Sequence, residues 1–200
     1  MQRIPLFPLP VVLYPGAWMP LHIFEERYRL MIADCLEGSG EFGLIYHQPD
    51  EQGPFMMETG RVGTIACIEK HQLLPDGRSM ILLRGAQRFA ISAERPMERL
   101  YYEADVVPFD DVTVPRSEAI VEVRARTLEL FMTVVTEMSD VADEVPSYDV
   151  NLDLSFQLAP SIQIDSRWQQ SLLETRQEVE RLERLEAVFQ AALDRNLPDE

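Results

Sequence analysis

The sequence predicts an α+β fold in which a β-rich lobe is followed by a helical lobe. Five strand-length segments, rich in β-branched and aromatic residues, lie between positions 41 and 109 at the spacing of an antiparallel β barrel or sandwich. After Pro108 the apolar residues repeat at helical spacing, first over residues 116–139 and then over residues 166–194. The predicted lobes are residues 1–109 and residues 110–200, and the second is predicted to end in a long helix.

The apolar opening segment, residues 5–24, contains prolines at positions 5, 8, 10, 15 and 20. Prolines remove hydrogen bonds from a membrane-spanning helix, and the segment lacks an unbroken apolar run of about 18 residues. A secretory signal is disfavoured because only Arg3 precedes the apolar part, Pro8 and Pro10 interrupt it, and the sequence GAW is a poor cleavage site. We therefore expect a cytoplasmic protein with no membrane partner. The segment itself is predicted to form two short strands, RIPLF and VVLY, and a rigid loop, PGAWMP, that leads into a helix.

Turn chemistry in the β lobe predicts where strands meet. Asp76 and Gly77 stand between two strand-like runs and supply the positive φ angles of a tight hairpin turn. Gly85 separates two predicted strands, residues 78–85 and 87–94, and indicates a bulge or bend that lets a curved sheet close, fully or in part.

Apolar periodicity also places the helices. One short helix is predicted inside the β lobe, from near Phe24 to the glycine at position 38. In the second lobe the helix at 116–139 is followed by an acidic loop over residues 139–149 and a short helix ended by Pro160. The pattern Ser-x-x-Gln at residues 166–169 resembles a capping box and opens the last helix.

Composition limits the possible functions. The formal net charge is −16, most of it in the second half, so the chain repels nucleic-acid phosphates and no nucleic-acid partner is expected. Lys70 is the one lysine among 18 basic residues, and it lies outside any Gly-Lys-Ser/Thr phosphate loop. Cys35 and Cys67 are interpreted as small buried side chains in a reducing compartment rather than as a disulfide.

Two long motifs then carry a family resemblance. PLFPLPVVLYPGAWMPLHIFEERYRLMI and VGTIACIEKHQLLPDGRSMILLRGAQRFAI resemble the two signatures of the Lon protease N-terminal, substrate-recognition domain, and the closing segments LSFQLA, QQSLLE and RLERLEAV are similar to its helices. The resemblance implies a small PUA-like β barrel followed by a helical bundle, with Leu6, Phe7, Val11 and Leu13 in the core. It also implies recognition of unfolded or tagged polypeptides for a protease or chaperone. Because no ATPase or Ser–Lys peptidase follows, a stand-alone member is expected.

Exposed apolar side chains are the candidate binding residues. Methionine adapts its shape to varied apolar sequences, and arginine could anchor an acidic group. The seven candidates for peptide binding are Trp18, Met19, Phe55, Met56, Met57, Arg84 and Arg88. For the two arginines, salt bridges within the barrel are the competing interpretation.

No catalytic residue, metal or cofactor is predicted. Cys67 and His71 are four positions apart, but on a strand that spacing separates them by about 13 Å, too far for one metal ion. The leading hypothesis is a non-catalytic protein-binding module. Two alternatives stay open: a small hydrolase with an unrecognised active site, and RNA binding by analogy with other PUA-like domains.

Overall fold

The computed structural model of the protein describes residues 1–112, 118–138, 147–162 and 164–196. In these ranges the strands are β1 (Gln2–Leu9), β2 (Trp18–Ile23), β3 (Glu41–Tyr46), β4 (Val62–Leu73), β5 (Ser79–Glu94) and β6 (Tyr102–Pro108). The α helices are α1 (Glu26–Glu37), α2 (Pro49–Gln52), α3 (Glu118–Met138), α4 (Ser155–Leu158), α5 (Ser166–Glu174) and α6 (Glu178–Asn196), and a 3₁₀ turn spans Ala159–Ser161. The predicted α+β class is confirmed. Parts of the predicted linker and acidic loop, residues 113–117 and 139–146, lie outside the described ranges.

The chain divides into two compact units. The first contains Met1–Asp110 and Ile164–Glu174, so that it includes all six described strands and helix α5. The second contains Asp111–Gln163 and Thr175–Glu200.

The six strands form one sheet in the order β2-β5-β4-β3-β1-β6, and β6 also pairs with β5. The 16-residue strand β5 makes this possible, because its first half pairs with β2 and its second half pairs with β6. Among the described strands, β2 has β5 as its one neighbour and leaves an open edge. The sheet is thus a partly open barrel, as the prediction allowed.

One pairing departs from the predicted antiparallel pattern. β1 and β3 run parallel, with Leu6 opposite Gly43 and Leu9 opposite Tyr46. Parallel neighbours need a crossover connection. Here β2 and α1 lie between the two strands in the sequence and supply it.

The predicted hairpin is present, although Asp76, unlike Gly77, does not have the positive φ angle expected of it. Gly77 has a φ angle of 80°, the Leu74 amide bonds the Arg78 carbonyl at 2.8 Å, and Leu73 lies opposite Ser79. The bend at Gly85 is also present, because the register between β4 and β5 shifts there. The division into two strands at that glycine was wrong, since β5 continues through it.

The opening segment differs from the prediction. Residues 11–14 form no strand, and the Leu13 carbonyl instead accepts a hydrogen bond from the buried Thr64 hydroxyl at 2.6 Å. Trp18 and Met19, expected in a rigid loop, begin β2. The backbone of Gly16 and Ala17 approaches Gly85 closely, which explains why the strand begins at Trp18. The Gly85 carbonyl accepts a hydrogen bond from the Gly16 amide, and the Gly85 amide donates to the Ala17 carbonyl, both at 2.8 Å.

The core of the first unit has two clusters. One surrounds α1 and contains Phe7, Leu13 and the helix residues Tyr28, Met31, Ile32 and Cys35. The other contains Leu6 and lies around Phe89. The predicted apolar stripe of α1 is therefore confirmed from Tyr28 to Cys35, but Phe24, predicted to begin it, lies before the helix and is exposed. Of the predicted core residues, Val11 is half-buried and its neighbour Val12 is buried instead.

The prediction of one continuous helix from 166 to 194 was wrong, because α5 ends at Glu174 and α6 begins at Glu178. In a continuous helix the Thr175 carbonyl would accept a bond from an amide four residues later. Here it accepts a 2.8 Å bond from the guanidinium of Arg181, which is fully buried. The same guanidinium donates to Asp111 at 2.6 Å and to Asp153 at 2.5 Å, which fixes the start of α6.

Candidate functional site

The outward side of strands β2 and β5 forms the candidate site. Three pairs of side chains face each other across the two strands: Trp18 opposite Arg84, Pro20 opposite Leu82, and His22 opposite Met80. These six residues are here called the β2–β5 outer face. Alternation along β2 explains the arrangement, because its exposed residues 18, 20 and 22 alternate with more buried residues at 19, 21 and 23.

The outer face is largely apolar and open. The exposed fraction is 57% for Trp18 and 40% for Met80, and Phe24, which follows β2, is 60% exposed. The rings of His22 and Phe24 are 5.7 Å apart, so that they continue the surface beyond the strand. A cluster of large exposed apolar side chains on one sheet face is typical of interaction surfaces.

The charge of Arg84 is balanced within the β sheet. Its Nε atom donates to a Glu69 carboxylate oxygen at 2.7 Å, and this hydrogen bond raises the pKa of the guanidinium above its ordinary value. Because both side chains are partly exposed, the pair contributes little to stability. Arg84 lies opposite Trp18 on the neighbouring strand, and because its guanidinium is paired with Glu69 it adds no unpaired charge to the apolar face.

The open edge of β2 is unsuited to strand addition. The Ala17 carbonyl accepts a hydrogen bond from Gly85 of β5. Backbone N–H and C=O groups point to alternate sides of a strand, so those of Trp18, Pro20 and His22 point away from β5, toward the open edge. Pro20 has no N–H to donate there, and proline on an edge strand discourages pairing with another chain. A ligand of this region would therefore contact side chains of the face.

The other predicted binding residues lie elsewhere. Met19 points to the core side of β2 and packs against the first cluster. Phe55 and Met57 lie in the predicted irregular segment but pack against the second cluster, while Met56 is 62% exposed. The structure thus brings Trp18 and Arg84 together and separates them from the segment at 55–57.

Arg88 is buried rather than available for a ligand. Its guanidinium donates to the Leu173 carbonyl at 2.6 Å and lies 5.2 Å from the centre of the Phe109 ring. Its exposed fraction is 5%. Arg88 therefore bonds α5 within the first unit and is not part of the outer face.

The cysteines offer no activated nucleophile. Burial raises the pKa of the Cys35 thiol to about 12. Burial and the nearby Glu41 carboxylate raise the pKa of the Cys67 thiol, which lies 3.6 Å from that carboxylate. Catalytic cysteines have lowered pKa values.

Within the described ranges, no group of three or more His, Cys, Asp or Glu side chains is placed to hold a metal ion. In that same part of the chain, no helix is both long and apolar enough to cross a bilayer.

Four of the six residues of the outer face were not among the predicted candidates, nor was the neighbouring Phe24; the four are Pro20, His22, Met80 and Leu82. Alternation in RSMILLRG, with buried residues at 79, 81 and 83 and outward ones at 80, 82 and 84, contained the signal for Met80. For His22, the missing information was that β2 exists at all.

A family model described as the ATP-dependent protease La (LON) substrate-binding domain matches residues 3–188. The chain belongs to this family. The predicted relationship is thereby confirmed, and the domain of this family is one that binds substrates.

Individual relatives agree with this assignment. A Lon protease of Cytophaga hutchinsonii is 23% identical over 185 residues, which are 89% of this chain and 23% of that protein. A Lon protease of Vibrio parahaemolyticus is 26% identical over 195 residues, which are 96% of this chain and 25% of that protein. The chain thus spans about a quarter of the length of these relatives.

Solved structures give the same fold. A Lon N-terminal domain protein from Xanthomonas campestris is 25% identical with a TM-score of 0.64, and the N-terminal domain of a Mycobacterium avium complex Lon protease is 18% identical with a TM-score of 0.70. Each comparison covers 94% of this chain and 98% of the other chain. The predicted fold, a partly open β barrel with a helical part, is confirmed.

Proposed function

We propose that this chain is a non-catalytic module that binds apolar segments of unfolded polypeptides through the β2–β5 outer face. The observation that carries the proposal is the exposure of Trp18, Met80 and Phe24 around one sheet face. Membership of a substrate-binding domain family supports polypeptide as the ligand.

Binding would use side-chain contacts rather than backbone pairing. Pro20 has no N–H and so disfavours the pairing of another strand with the open edge of β2, whereas Trp18 and Met80 present large, adaptable apolar surfaces. Buried apolar contacts are little affected by salt, and a shallow face favours weak binding at each site. The expected ligands are therefore varied apolar segments, bound weakly and without strong sequence preference.

The relatives' names suggest a fate for the bound polypeptide. Because the matched proteins are Lon proteases, we propose that bound polypeptides pass to a separate protease or chaperone. Affinity capture from the cell's own extract, with the Trp18→Ser protein as the control bait, tests this step. If both baits retain a protease or chaperone equally, its capture does not require the outer face, and this step of the proposal would be contradicted.

The binding step is tested with fluorescently labelled, denatured casein and anisotropy measurements. Met80→Ser is expected to weaken binding about 5-fold or more, because it removes exposed apolar contact area. Met97→Ser is the matched control, since Met97 is 61% exposed and lies in the same unit outside the face. Equal affinity in the wild type and both variants would exclude this face, and no casein binding at any salt concentration would exclude the function.

A further inference from the structure

A polar cavity in the first unit is separate from the outer face. Its volume is about 380 Å³, within the range of small-molecule sites. The end of β3, the segment that follows it, the start of β4 and helix α5 form the walls, with His47, Met56, Arg61, Gln170 and Glu174 among the lining residues. Two of these residues have a buried acceptor atom for which the described residues provide no donor.

The first acceptor is Nδ1 of His47. This side chain is only 4% exposed, and its other nitrogen, Nε2, lies 2.9 Å from the Gly53 carbonyl. A carbonyl can only accept, so Nε2 carries the proton and Nδ1 is the acceptor of the neutral ring. Phe55 contacts the ring edge-on at 5.3 Å. Within the described residues, no donor bonds Nδ1.

The second acceptor is Oε1 of Gln170. The amide nitrogen of this side chain donates to the Val62 carbonyl at 3.0 Å and to Glu174 at 2.7 Å, which fixes the amide orientation. Its oxygen is buried and has no donor in the described parts of the chain. Buried acceptors without donors are rare and unfavourable. Because both residues line one cavity, a ligand bound there that supplies N–H or O–H groups is the group that would satisfy them.

The charges in the cavity favour a neutral ligand. Arg61 already occupies the wall, where its guanidinium donates to the Met56 and Tyr46 carbonyls at 2.9 and 2.7 Å and lies 4.8 Å from the centre of the Phe55 ring. The cavity lining contains two arginines, Arg61 and Arg167, and two carboxylates, Glu58 and Glu174, so its formal charges balance and a neutral ligand adds no unpaired charge. An anion offers acceptors and cannot satisfy His47 or Gln170.

We propose that this cavity binds a neutral primary carboxamide, with His47 Nδ1 and Gln170 Oε1 as the acceptors of its N–H groups. A carboxamide concentrates two N–H donors on one compact, uncharged group. The group can belong to a free amide such as glutamine or to a Gln or Asn side chain of a bound polypeptide. The proposal does not depend on the outer face.

The test monitors the imidazole nitrogen signals of His47 by NMR in the full-length, ¹⁵N-labelled protein. The probes are free L-glutamine and a capped Ala-Gln-Ala peptide, each paired with its glutamate counterpart, which has no N–H donor in the side chain. The expected result is a saturable upfield shift of the Nδ1 signal with one or both carboxamide probes. A response to the free amino acid alone assigns a small-molecule ligand, and a response to the peptide alone assigns a polypeptide side chain.

Gln170→Met is expected to weaken the response about 5- to 10-fold, because it removes one acceptor. Gln72→Met is the matched control, since Gln72 is exposed and outside the cavity. An Nδ1 signal unchanged by every probe, or an equal response to the glutamate counterparts, would show a solvent-filled cavity and overturn the proposal. The comparison of probes on the wild-type chain decides the matter even where Gln170→Met fails to fold.

Discussion

Gly85 shows how a single residue positions the candidate face. Its backbone bonds residues 16 and 17 on one side, and it lies at the register shift between β4 and β5. A Cβ atom at this position would lie 2.1 Å from the Tyr14 carbonyl oxygen, far inside contact distance. Glycine is therefore required for the close approach that brings Trp18 into line with Arg84.

Gly85→Ala is predicted to destabilise the protein by about 2–4 kcal/mol, because the clash is with backbone and cannot be relieved by a side-chain rotation. Urea denaturation measures the effect. Gly38→Ala is the control, since a Cβ there meets its nearest atom at an ordinary 3.5 Å and the φ angle is negative. Equal stability of the two variants would contradict the role given to Gly85.

Tyr28 provides a prediction about alkaline pH. It is buried in the first core cluster with its ring 3.9 Å from that of Phe7, and burial raises its pKa from 10.0 to about 12. The folded state then holds the phenolic proton more tightly than the unfolded state does. Stability is full below pH 10 and falls as the pH rises from 10 through 12. The loss from this residue is about 2–3 kcal/mol.

Tyr28→Phe removes the ionisable group while keeping the ring. We predict nearly unchanged unfolding free energy at about pH 8 and a smaller alkaline loss by about pH 11 than in the wild type. Urea denaturation across this range is the measurement. Parallel pH profiles for the two proteins would show that Tyr28 does not contribute to the loss.

At the scale of elements, β2 is the strand that the sequence could not reveal. Its flanking prolines and Gly16, with a φ angle of 79°, are local signals of a loop, while the pairing that makes it a strand comes from β5, about 60 residues later. The hairpin at Asp76-Gly77 was predictable because its signal is local. The break between α5 and α6 was not, because it depends on the tertiary contact of Arg181 with Thr175.

The same distinction holds for the site. Trp18 and Arg84 were identified from residue type, but their pairing across two strands depends on the register of the sheet. Residue type equally suggested Arg88, which the fold buries against Leu173 and Phe109. Exposure is a property of the assembled sheet, so no local pattern could separate the two arginines.

The open edge of β2 gives a prediction of its own. Pro20→Val restores an edge N–H and adds a residue that favours strands, so we predict stronger self-association through edge pairing. Sedimentation velocity over a range of protein concentrations detects it. Val12→Ile, a buried change outside β2, is a control for nonspecific effects of a larger aliphatic residue. A Pro20→Val protein that sediments as the wild type does would contradict the edge assignment.

At the scale of the whole molecule, charge and apolar surface act separately. The net charge of −16 repels acidic ligands at long range, and salt screens this repulsion over about 10 Å at 0.1 M. Apolar contacts on the outer face do not depend on that field. Binding of a neutral apolar segment should therefore vary little with ionic strength, whereas binding through surface ion pairs would weaken steeply.

The most direct test uses Trp18 as its own reporter. The chain has two tryptophans, so Trp168→Phe leaves Trp18 as the single source of tryptophan emission. Titration with a neutral apolar polypeptide that contains no tryptophan, at low and high salt, is predicted to shift the Trp18 emission to shorter wavelength, because binding covers a side chain that is 57% exposed. The half-saturation point should change by less than about 2-fold with salt. If this polypeptide binds, as measured by anisotropy, while the Trp18 emission stays unchanged, the claim that this face holds it would be contradicted.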